Sequence, residues 1–223
     1  EEHDWEGAEQ EFKRAIKLNP GYAIAHSWYA SEYLVLMGRG AEAIEEMERA
    51  LELDPLSLVI NRDFGMTCYY ARQYDRAIAA LKRTIEIEPR FILTHGLLGL
   101  AYLEKSMFEE ALSELRSEIA IAEGFEQTAE AWIGTIYARV GEKHKARAIL
   151  ENLLRFSEKE YVSPYYIALL AFLLQETDQG FNWLEKAFEE NDSWLNYIKV
   201  DPGFDIVRSD PRFQQLLKKM RLA

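Results

Sequence analysis

The chain has 223 residues, of which 48% are hydrophobic and 13% aromatic, which is enough to bury a substantial core and excludes an intrinsically disordered protein. Its 38 acidic residues outnumber its 26 basic residues, and the formal net charge of -12 repels nucleic-acid phosphates and anionic lipid headgroups. We therefore expect neither a nucleic acid nor a membrane among its partners.

The single cysteine, Cys68, cannot form an intrachain disulfide, and no Cys/His spacing typical of a metal site occurs. We expect Cys68 to be a small buried residue in a reducing compartment. The longest uncharged stretch near the middle of the chain, residues 91–103, is shorter than the roughly 20 apolar residues that a membrane-spanning helix needs. These features predict a cytoplasmic protein.

A pattern of small and bulky residues recurs along the chain at intervals of 34 or 35 residues. Each copy starts with a small residue and has a bulky apolar residue four positions later and a further position of the same stripe three beyond that. Spacings of three and four keep these side chains on one face of a helix. The leading residues are Ala8, Ala43, Ala77, Ala111, Ala146 and Gly180.

A different pattern lies between these copies and predicts that each unit has two helices. The copies of this pattern belong to the first helix of a unit, and the copies described above belong to its second helix. This different pattern consists of a bulky apolar residue, then a small one, and usually an aromatic residue three positions later. Its copies are Tyr29-Ala30, Phe64-Gly65, Leu98-Gly99, Ile133-Gly134 and Ile167-Ala168. Antiparallel helices that approach to about 8–10 Å need a small side chain where they cross. We therefore expect Gly65, Gly99 and Gly134 at helix crossings.

Three prolines, Pro20, Pro55 and Pro89, follow the first three copies of the first pattern. Proline lacks a backbone N–H and disfavours helical geometry in the residue before it, so each is expected to end a second helix. A single hairpin is too small to bury its own apolar stripe. Neighbouring hairpins must therefore stack into a right-handed solenoid.

These patterns resemble the tetratricopeptide repeat over residues 4–192, most specifically in the second to fourth units. The resemblance implies an all-α fold, a right-handed α-α superhelix with a C-terminal capping helix. We expect a partial first repeat over residues 4–20, five helical hairpins up to residue 192, and a capping segment over residues 193–223. The Trp that the repeat usually has in its first helix is replaced by His26, Asn61, His95, Glu130 and Pro164.

The last hairpin and the tail, residues 163–187 and 199–213, are similar to the C-terminal end of repeat regions in bacterial multidomain signalling proteins. That resemblance implies a fusion behind a kinase, cyclase or DNA-binding regulator domain. Ser209-Asp210-Pro211 predicts a helix start, with a polar cap and a proline in the first turn. The helix it opens is expected to cap the array.

The other end of the array is expected to be open. Residues 4–8 align with the second helix of a unit whose first helix is missing, so an apolar stripe with Phe12 and Ile16 is left uncovered. Two interpretations remain: the chain is a piece of a longer protein, or the edge is a natural dimerisation surface.

Enzymatic motifs do not occur in the sequence: there is no P-loop, dinucleotide glycine fingerprint, HExxH motif or nucleophile elbow. We therefore predict that the protein is not an enzyme, with no catalytic residue, no metal ligand and no cofactor. His26 and His95 fall in the first helices of two units, where packing or lining of the groove wall, rather than metal binding, is the expected role.

The candidate site is the concave side, which first helices line in such a superhelix. Residues off the packing stripe of those helices include Arg, Tyr and Met, types that are frequent in binding hot spots. The predicted groove residues are Ser27, Ser31, Arg62, Met66, Tyr69, Tyr70, Glu104, Thr135, Arg139 and Tyr165. The alternative is that side chains such as Tyr69 belong only to the core between repeats.

The residues of the predicted groove indicate the general kind of partner. The Lys and Asn clamp that some members of the family use for a chaperone carboxylate is not reproduced, although Arg62 and Arg139 could each pair with a carboxylate. We predict a non-enzymatic scaffold that binds a peptide or partner surface in the concave groove. The alternative is a self-association segment that forms homodimers through the open N-terminal edge. The partner is then a protein or peptide, with an upstream domain of the same chain or a second copy as further candidates.

Overall fold

The computed structural model describes residues 4–121 and 126–223, and these ranges contain twelve α-helices and no strand. The helices are α1 (Trp5–Leu18), α2 (Ala23–Tyr29), α3 (Gly40–Leu53), α4 (Leu58–Tyr70), α5 (Tyr74–Ile87), α6 (Thr94–Glu104), α7 (Phe108–Ile121), α8 (Glu126–Arg139), α9 (Lys143–Ser157), α10 (Pro164–Leu173), α11 (Thr177–Glu189) and α12 (Pro211–Lys219). A π-helical turn, Ala30–Leu34, continues α2, and two 3-10 turns, Ser193–Tyr197 and Pro202–Val207, lie between α11 and α12.

Helices that follow one another in the chain pack together as hairpins: α2 with α3, α4 with α5, α6 with α7, α8 with α9, and α10 with α11. The first helices of successive hairpins also contact each other, as α4 does with α6, α6 with α8, and α8 with α10. The apolar core therefore runs as one continuous layer along the array. The prediction of an all-helical solenoid is confirmed.

Glycines lie where first and second helices cross, as the sequence predicts. A Cβ atom built on Gly65 would lie 2.5 Å from Cγ of Leu81, and one on Gly99 would lie 2.9 Å from Cγ of Leu115. Both distances are shorter than any normal carbon–carbon contact. A larger side chain at either position would force the two helices apart.

Helix ends also follow the sequence, since α1, α3 and α5 end at Leu18, Leu53 and Ile87, two residues before a proline. The polar residues that replace the usual Trp bind back to these turns. Nε2 of His26 lies 3.0 Å from the carbonyl oxygen of Pro20, Nδ2 of Asn61 donates to that of Pro55 at 3.1 Å, and Nε2 of His95 lies 2.9 Å from that of Pro89.

The two histidines also reach a carboxylate on the following helix. Nδ1 of His26 lies 2.7 Å from Glu46, and Nδ1 of His95 lies 2.6 Å from Glu114. The hydrogen bond with Glu114 raises the pKa of His95, although partial burial opposes it. Both side chains thus tie a turn to a helix.

Within residues 4–121 and 126–223, no group of three or more His, Cys, Asp or Glu side chains could hold a metal ion.

The last helix, α12, runs beside α11 and begins as predicted, with Asp210 accepting a hydrogen bond from the backbone N–H of Arg212 at 2.8 Å. Arg212 pairs with Asp178 of α11 at 2.8 Å, and Lys219 pairs with Glu185 at 2.5 Å. None of the side chains of α1 is fully buried, but the N-terminal edge is not entirely open as expected: the Trp5 indole donates to the carbonyl oxygen of Met220 at 2.8 Å, so the start of α1 meets the residue after α12.

Two further predictions concern the single cysteine and membrane-spanning helices. Cys68 is a free, buried cysteine as expected, and burial raises the pKa of its thiol to about 12. In the part of the chain that the structure describes, none of the helices has the length and apolar character needed to cross a membrane.

Candidate functional site

A stretch of chain with two 3-10 turns lies across the first helices of the array. We call residues 193–208 the groove segment. The Tyr197 ring stacks on Tyr70 of α4, with centroids 4.6 Å apart and planes at 18°. The Trp194 ring meets Trp132 of α8 edge to face at 6.4 Å. The groove segment thus contacts first helices that lie two hairpins apart.

The far end of the groove segment rests on α10. The Phe204 ring lies 4.8 Å from that of Tyr165 and 6.1 Å from that of Phe172, measured between centroids. Phe204 is fully buried. This aromatic contact places the second 3-10 turn against the last hairpin.

Aspartates shape the groove segment locally. Asp192 accepts a hydrogen bond from the backbone N–H of Trp194 at 3.0 Å, and Asp201 accepts one from that of Gly203 at 2.7 Å. Each aspartate therefore caps a short 3-10 turn, and Pro202 follows the second cap. Asp192 also accepts a hydrogen bond from Oγ of Ser163 at 2.5 Å, which ties the start of the groove segment to the start of α10.

A buried carboxylate joins the groove segment to α10. Oη of Tyr165 donates to Oδ2 of Asp201 at 2.5 Å, and both side chains are buried. Burial raises the pKa of Asp201, while the hydrogen bonds from Tyr165 and Gly203 act against that rise. Burial also raises the pKa of Tyr165, which keeps its hydroxyl a donor. The pair is a polar anchor inside an otherwise aromatic contact.

A second carboxylate of the groove segment pairs with the loop after α4. Both oxygens of Asp205 accept hydrogen bonds from the Arg72 guanidinium, each at 2.8 Å. Arg208 donates to the same carboxylate at 2.7 Å and to the carbonyl oxygen of Asp201 at 3.1 Å. Although partial burial opposes ionisation, the hydrogen bonds from the two arginines hold the pKa of Asp205 below its usual value.

The first complete hairpin also contacts the groove segment. Oη of Tyr197 donates to the Glu32 carboxylate at 3.4 Å, and Oγ of Ser31 donates to the same oxygen at 3.3 Å. Together with the contacts above, this places the groove segment against the first, second, fourth and fifth complete hairpins.

Five of the predicted groove residues surround one small cavity: Tyr69, Tyr70, Glu104, Thr135 and Arg139. Its volume is about 20 Å³, close to the space that a single water needs. Asp201 and Gly203 of the groove segment form part of its lining. Arg139 forms an ion pair with Glu104, so these two predicted residues bind each other across neighbouring first helices.

The other predicted residues lie outside this cavity. Tyr165 lies under Phe204, and Ser27, Ser31 and Met66 are buried. Arg62 pairs with Asp63 at 2.8 Å and lies over the Phe91 ring, 5.4 Å from its centroid.

Several residues of the site were missed from the sequence. Arg72 lies in a turn, Trp132 directly precedes the Ile133-Gly134 pair of its unit, and Asp201 lies in the tail that was expected only to cap the array. The signal that could have found them is the composition of the tail: Trp194, Tyr197 and Phe204 occur there, with Pro202 between the last two. Three aromatic rings in a short tail need a surface to cover them.

Comparison with known proteins finds one family model that matches the first part of the chain. Residues 1–57 match the family model described as tetratricopeptide repeat. No curated protein matches the chain in sequence.

Solved structures of similar fold cover more of it. A thermophilic TPR protein of Thermus thermophilus is 23% identical, with 73% of this chain and 91% of that chain covered and a TM-score of 0.56. A chain of the APC/C hetero-tetramer Cut9-Hcn1 is 13% identical over 98% of this chain and 46% of that chain, with a TM-score of 0.64. YrrB, described as a TPR protein with an unusual peptide-binding site, is 18% identical over 83% of this chain and 95% of that chain, with a TM-score of 0.50. At these identities the likeness concerns the fold alone.

Proposed function

We propose that this chain, whose residues 1–57 match the tetratricopeptide-repeat family model, is a non-enzymatic scaffold that binds a protein or peptide partner across its concave face. YrrB, a protein of similar fold, carries a peptide-binding site by its own description. Cytoplasmic location and fusion to a bacterial signalling domain remain predictions of the same interpretation.

One observation supports the proposal: the first helices, which should line the concave face, already hold a short stretch of chain that is not α-helical. Residues 193–208 meet it through aromatic rings and carboxylates rather than through a helix stripe. Rings and charge-assisted hydrogen bonds of this kind are typical of hot spots in protein interfaces. A face that accommodates one such stretch has the chemistry to accommodate another.

The charged groups of the site and the single thiol of the chain favour binding over catalysis. Arg139 is paired with Glu104, and Arg72 with Asp205. The thiol of Cys68 is buried and its pKa is raised to about 12, so it carries almost no thiolate near neutral pH. These groups hold the fold or a ligand rather than activate a nucleophile.

Site-specific photo-crosslinking in cells tests the proposal. A photoreactive residue at Arg139, on the concave side, should capture a partner protein. The same residue at Arg83, exposed on the second helix α5, is the matched control and should not. Capture only from Arg83, or no capture from Arg139, would contradict binding across the concave face.

Self-association through α1 is the second candidate function. It is favoured by the absence of any fully buried side chain in α1 and by the partial exposure of Phe12 and Ile16. Light scattering at several concentrations tests it, because a strict monomer removes it. If a dimer forms, Ile16→Glu should dissociate it, whereas Lys17→Glu on the exposed face should not.

A further inference from the structure

We propose that the groove segment is a tethered ligand, and that the partner of this chain is a peptide with the same chemistry: aromatic side chains at the places of Tyr197 and Phe204 and a carboxylate at the place of Asp205. This inference rests on the proposed function and adds to it the kind of partner and the need to displace residues 193–208.

The aromatic part of the recognition is set by ring sites on the first helices. Trp194 lies 5.5 Å from Tyr166, centroid to centroid, as well as against Trp132. Tyr197 stacks on Tyr70. Offset and edge-to-face pairs add stabilisation beyond the area they bury, and they require a ring on the ligand.

Phe204 occupies the remaining ring site, on Tyr165 and Phe172. The three rings of the segment are separated by three and seven positions in the sequence. A displacing peptide must reproduce this spacing in an irregular conformation, because a continuous helix would not follow the two 3-10 turns.

The charged part of the recognition selects an acidic ligand. The chain as a whole has a net charge of -12, yet two donors at the site bind carboxylates of the groove segment. Arg72 binds Asp205 through two parallel hydrogen bonds, the arrangement that makes arginine specific for carboxylates. The hydroxyl of Tyr165 binds Asp201. A partner peptide of basic composition would lose both contacts.

For a peptide to bind, the groove segment must leave its place, which exposes Leu195, Ile198 and Phe204, side chains that are buried in the closed position. The segment consists of two 3-10 turns and the residues between them, and the helix after it, α12, has its own contacts with α11 through Arg212 and Lys219. The closed position also has an electrostatic cost: burial raises the pKa of Asp201 and lowers that of Lys199. A competing peptide is opposed by the local concentration of the tethered segment, which is on the order of millimolar for a short tether.

Peptide binding to the full chain tests the inference. The probe is a fluorescently labelled synthetic peptide with the sequence of residues 191–210. Asp205→Arg replaces an exposed carboxylate of the groove segment and leaves the groove wall intact, so it should open the groove while the fold is kept. Tyr197→Ala, which removes the stacked ring from the segment, is the second opening variant. Circular dichroism checks that both variants remain folded.

The expected result is a gain in affinity on opening. Because the apparent affinity of a closed site is reduced by the fraction of open molecules, each opening variant should bind the peptide roughly tenfold more tightly than the natural chain. The double variant Arg72→Asp with Asp205→Arg restores the ion pair with reversed sign and removes the arginine that the peptide needs. It should bind no better than the natural chain.

Two controls give the specificity. A peptide whose positions 197 and 204 are alanine should bind weakly to every variant. Tyr70→Ala, combined with Asp205→Arg, should reduce binding of the unaltered peptide. Equal affinity of the peptide for the natural and opened chains, or equal binding of the control peptide, would overturn the inference.

Self-association of the opened variants would also overturn the choice of partner, because a second copy would then supply the segment. The photo-crosslinking experiment separates this inference from the proposed function. If a partner is captured from Arg139 but the peptide experiment fails, the proposed scaffold function stands and the tethered-ligand inference is rejected. If no partner is captured from Arg139, the proposed scaffold function is itself rejected.

Discussion

The repeat array and the groove segment are held by contacts of very different sequence separation. In the array, Gly99 meets Leu115 on the next helix, and every hairpin packs on its neighbour in the chain. In the C-terminal region, Arg72 bonds to Asp205, 133 positions away, and the Trp5 indole donates to the carbonyl oxygen of Met220, 215 positions away, at 2.8 Å. Packing between neighbouring helices follows the 34- or 35-residue repeat of the sequence. The contacts of the C-terminal region with the array occur only once, so they produce no repeating pattern in the sequence.

The largest expected effect comes from deleting a core side chain of the array. Leu115 is fully buried at the crossing with Gly99, so Leu115→Ala should destabilise the chain by about 2–5 kcal/mol. Its counterpart in the groove segment is Tyr197→Ala. The proposed opening of the segment leaves the array folded, so the cost of this substitution to global unfolding should be limited to the free energy that closes the segment.

Urea unfolding of the two variants measures this difference. Leu115→Ala should lower the free energy of unfolding of the whole array. Tyr197→Ala should cost clearly less and should increase hydrogen exchange within residues 193–208. An equal loss for both would mean that the groove segment is part of one cooperative core, and the contrast between the two regions would disappear.

The sequence predicted the array because its packing rules are local. Gly65 and Gly99 had to lie at crossings, and Pro55 had to end a helix, since each rule involves only neighbouring helices. The same reasoning listed Tyr69, Tyr70 and Arg139 as groove residues without finding what covers them. Their cover depends on where residues 193–208 go, which neither helical spacing nor capping residues encode.

A crossing glycine gives the second effect. Gly99→Leu should destabilise the chain by about 1–3 kcal/mol, because its Cβ alone would lie 3.1 Å from the backbone oxygen of Ala111. Ala79→Leu, on the exposed face of α5, adds a similar side chain without a crossing and is the control. An unchanged thermal midpoint for Gly99→Leu would show that the two helices do not meet there.

Lowering the pH should reduce the contribution of Glu9 to stability, whereas raising the pH should reduce that of Asp201. Hydrogen bonds from Lys13 and Arg39 lower the pKa of Glu9, in the array, from 4.5 to about 2, so its contribution to stability is present above pH 4.5 and lost as the pH falls towards 2. Burial raises the pKa of Asp201, in the groove segment, above 3.8, so its contribution is present below that pH and lost as the pH rises through the raised pKa.

Thermal midpoints measured against pH separate these two groups. Glu9→Gln should weaken the loss of stability on the acid side, and the effect should be modest because the side chain is partly exposed to solvent. Asp201→Asn should remove part of the loss on the opposite side. The same pH dependence in both variants would show that neither carboxylate sets it.

The smallest effects should come from two ion pairs at the surface, one made by the groove segment and the other by α12. Arg72–Asp205 joins the groove segment to the loop after α4, and Arg212–Asp178 joins α12 to α11, each at 2.8 Å. Double-mutant cycles should give coupling energies of about 0.2–1 kcal/mol, with the larger value for Arg72–Asp205, because the Asp178 side chain is 93% exposed and that of Asp205 only 43%.

Salt then distinguishes a positioned pair from a solvated one. At about 1 M salt, charges in solvent are screened beyond roughly 3 Å, so the Arg212–Asp178 coupling should vanish. The Arg72–Asp205 coupling should persist in part, because two parallel hydrogen bonds hold its geometry. If both couplings vanish together, Asp205 is only a solvated neighbour of Arg72, and closure of the concave face depends on the rings of Trp194, Tyr197 and Phe204.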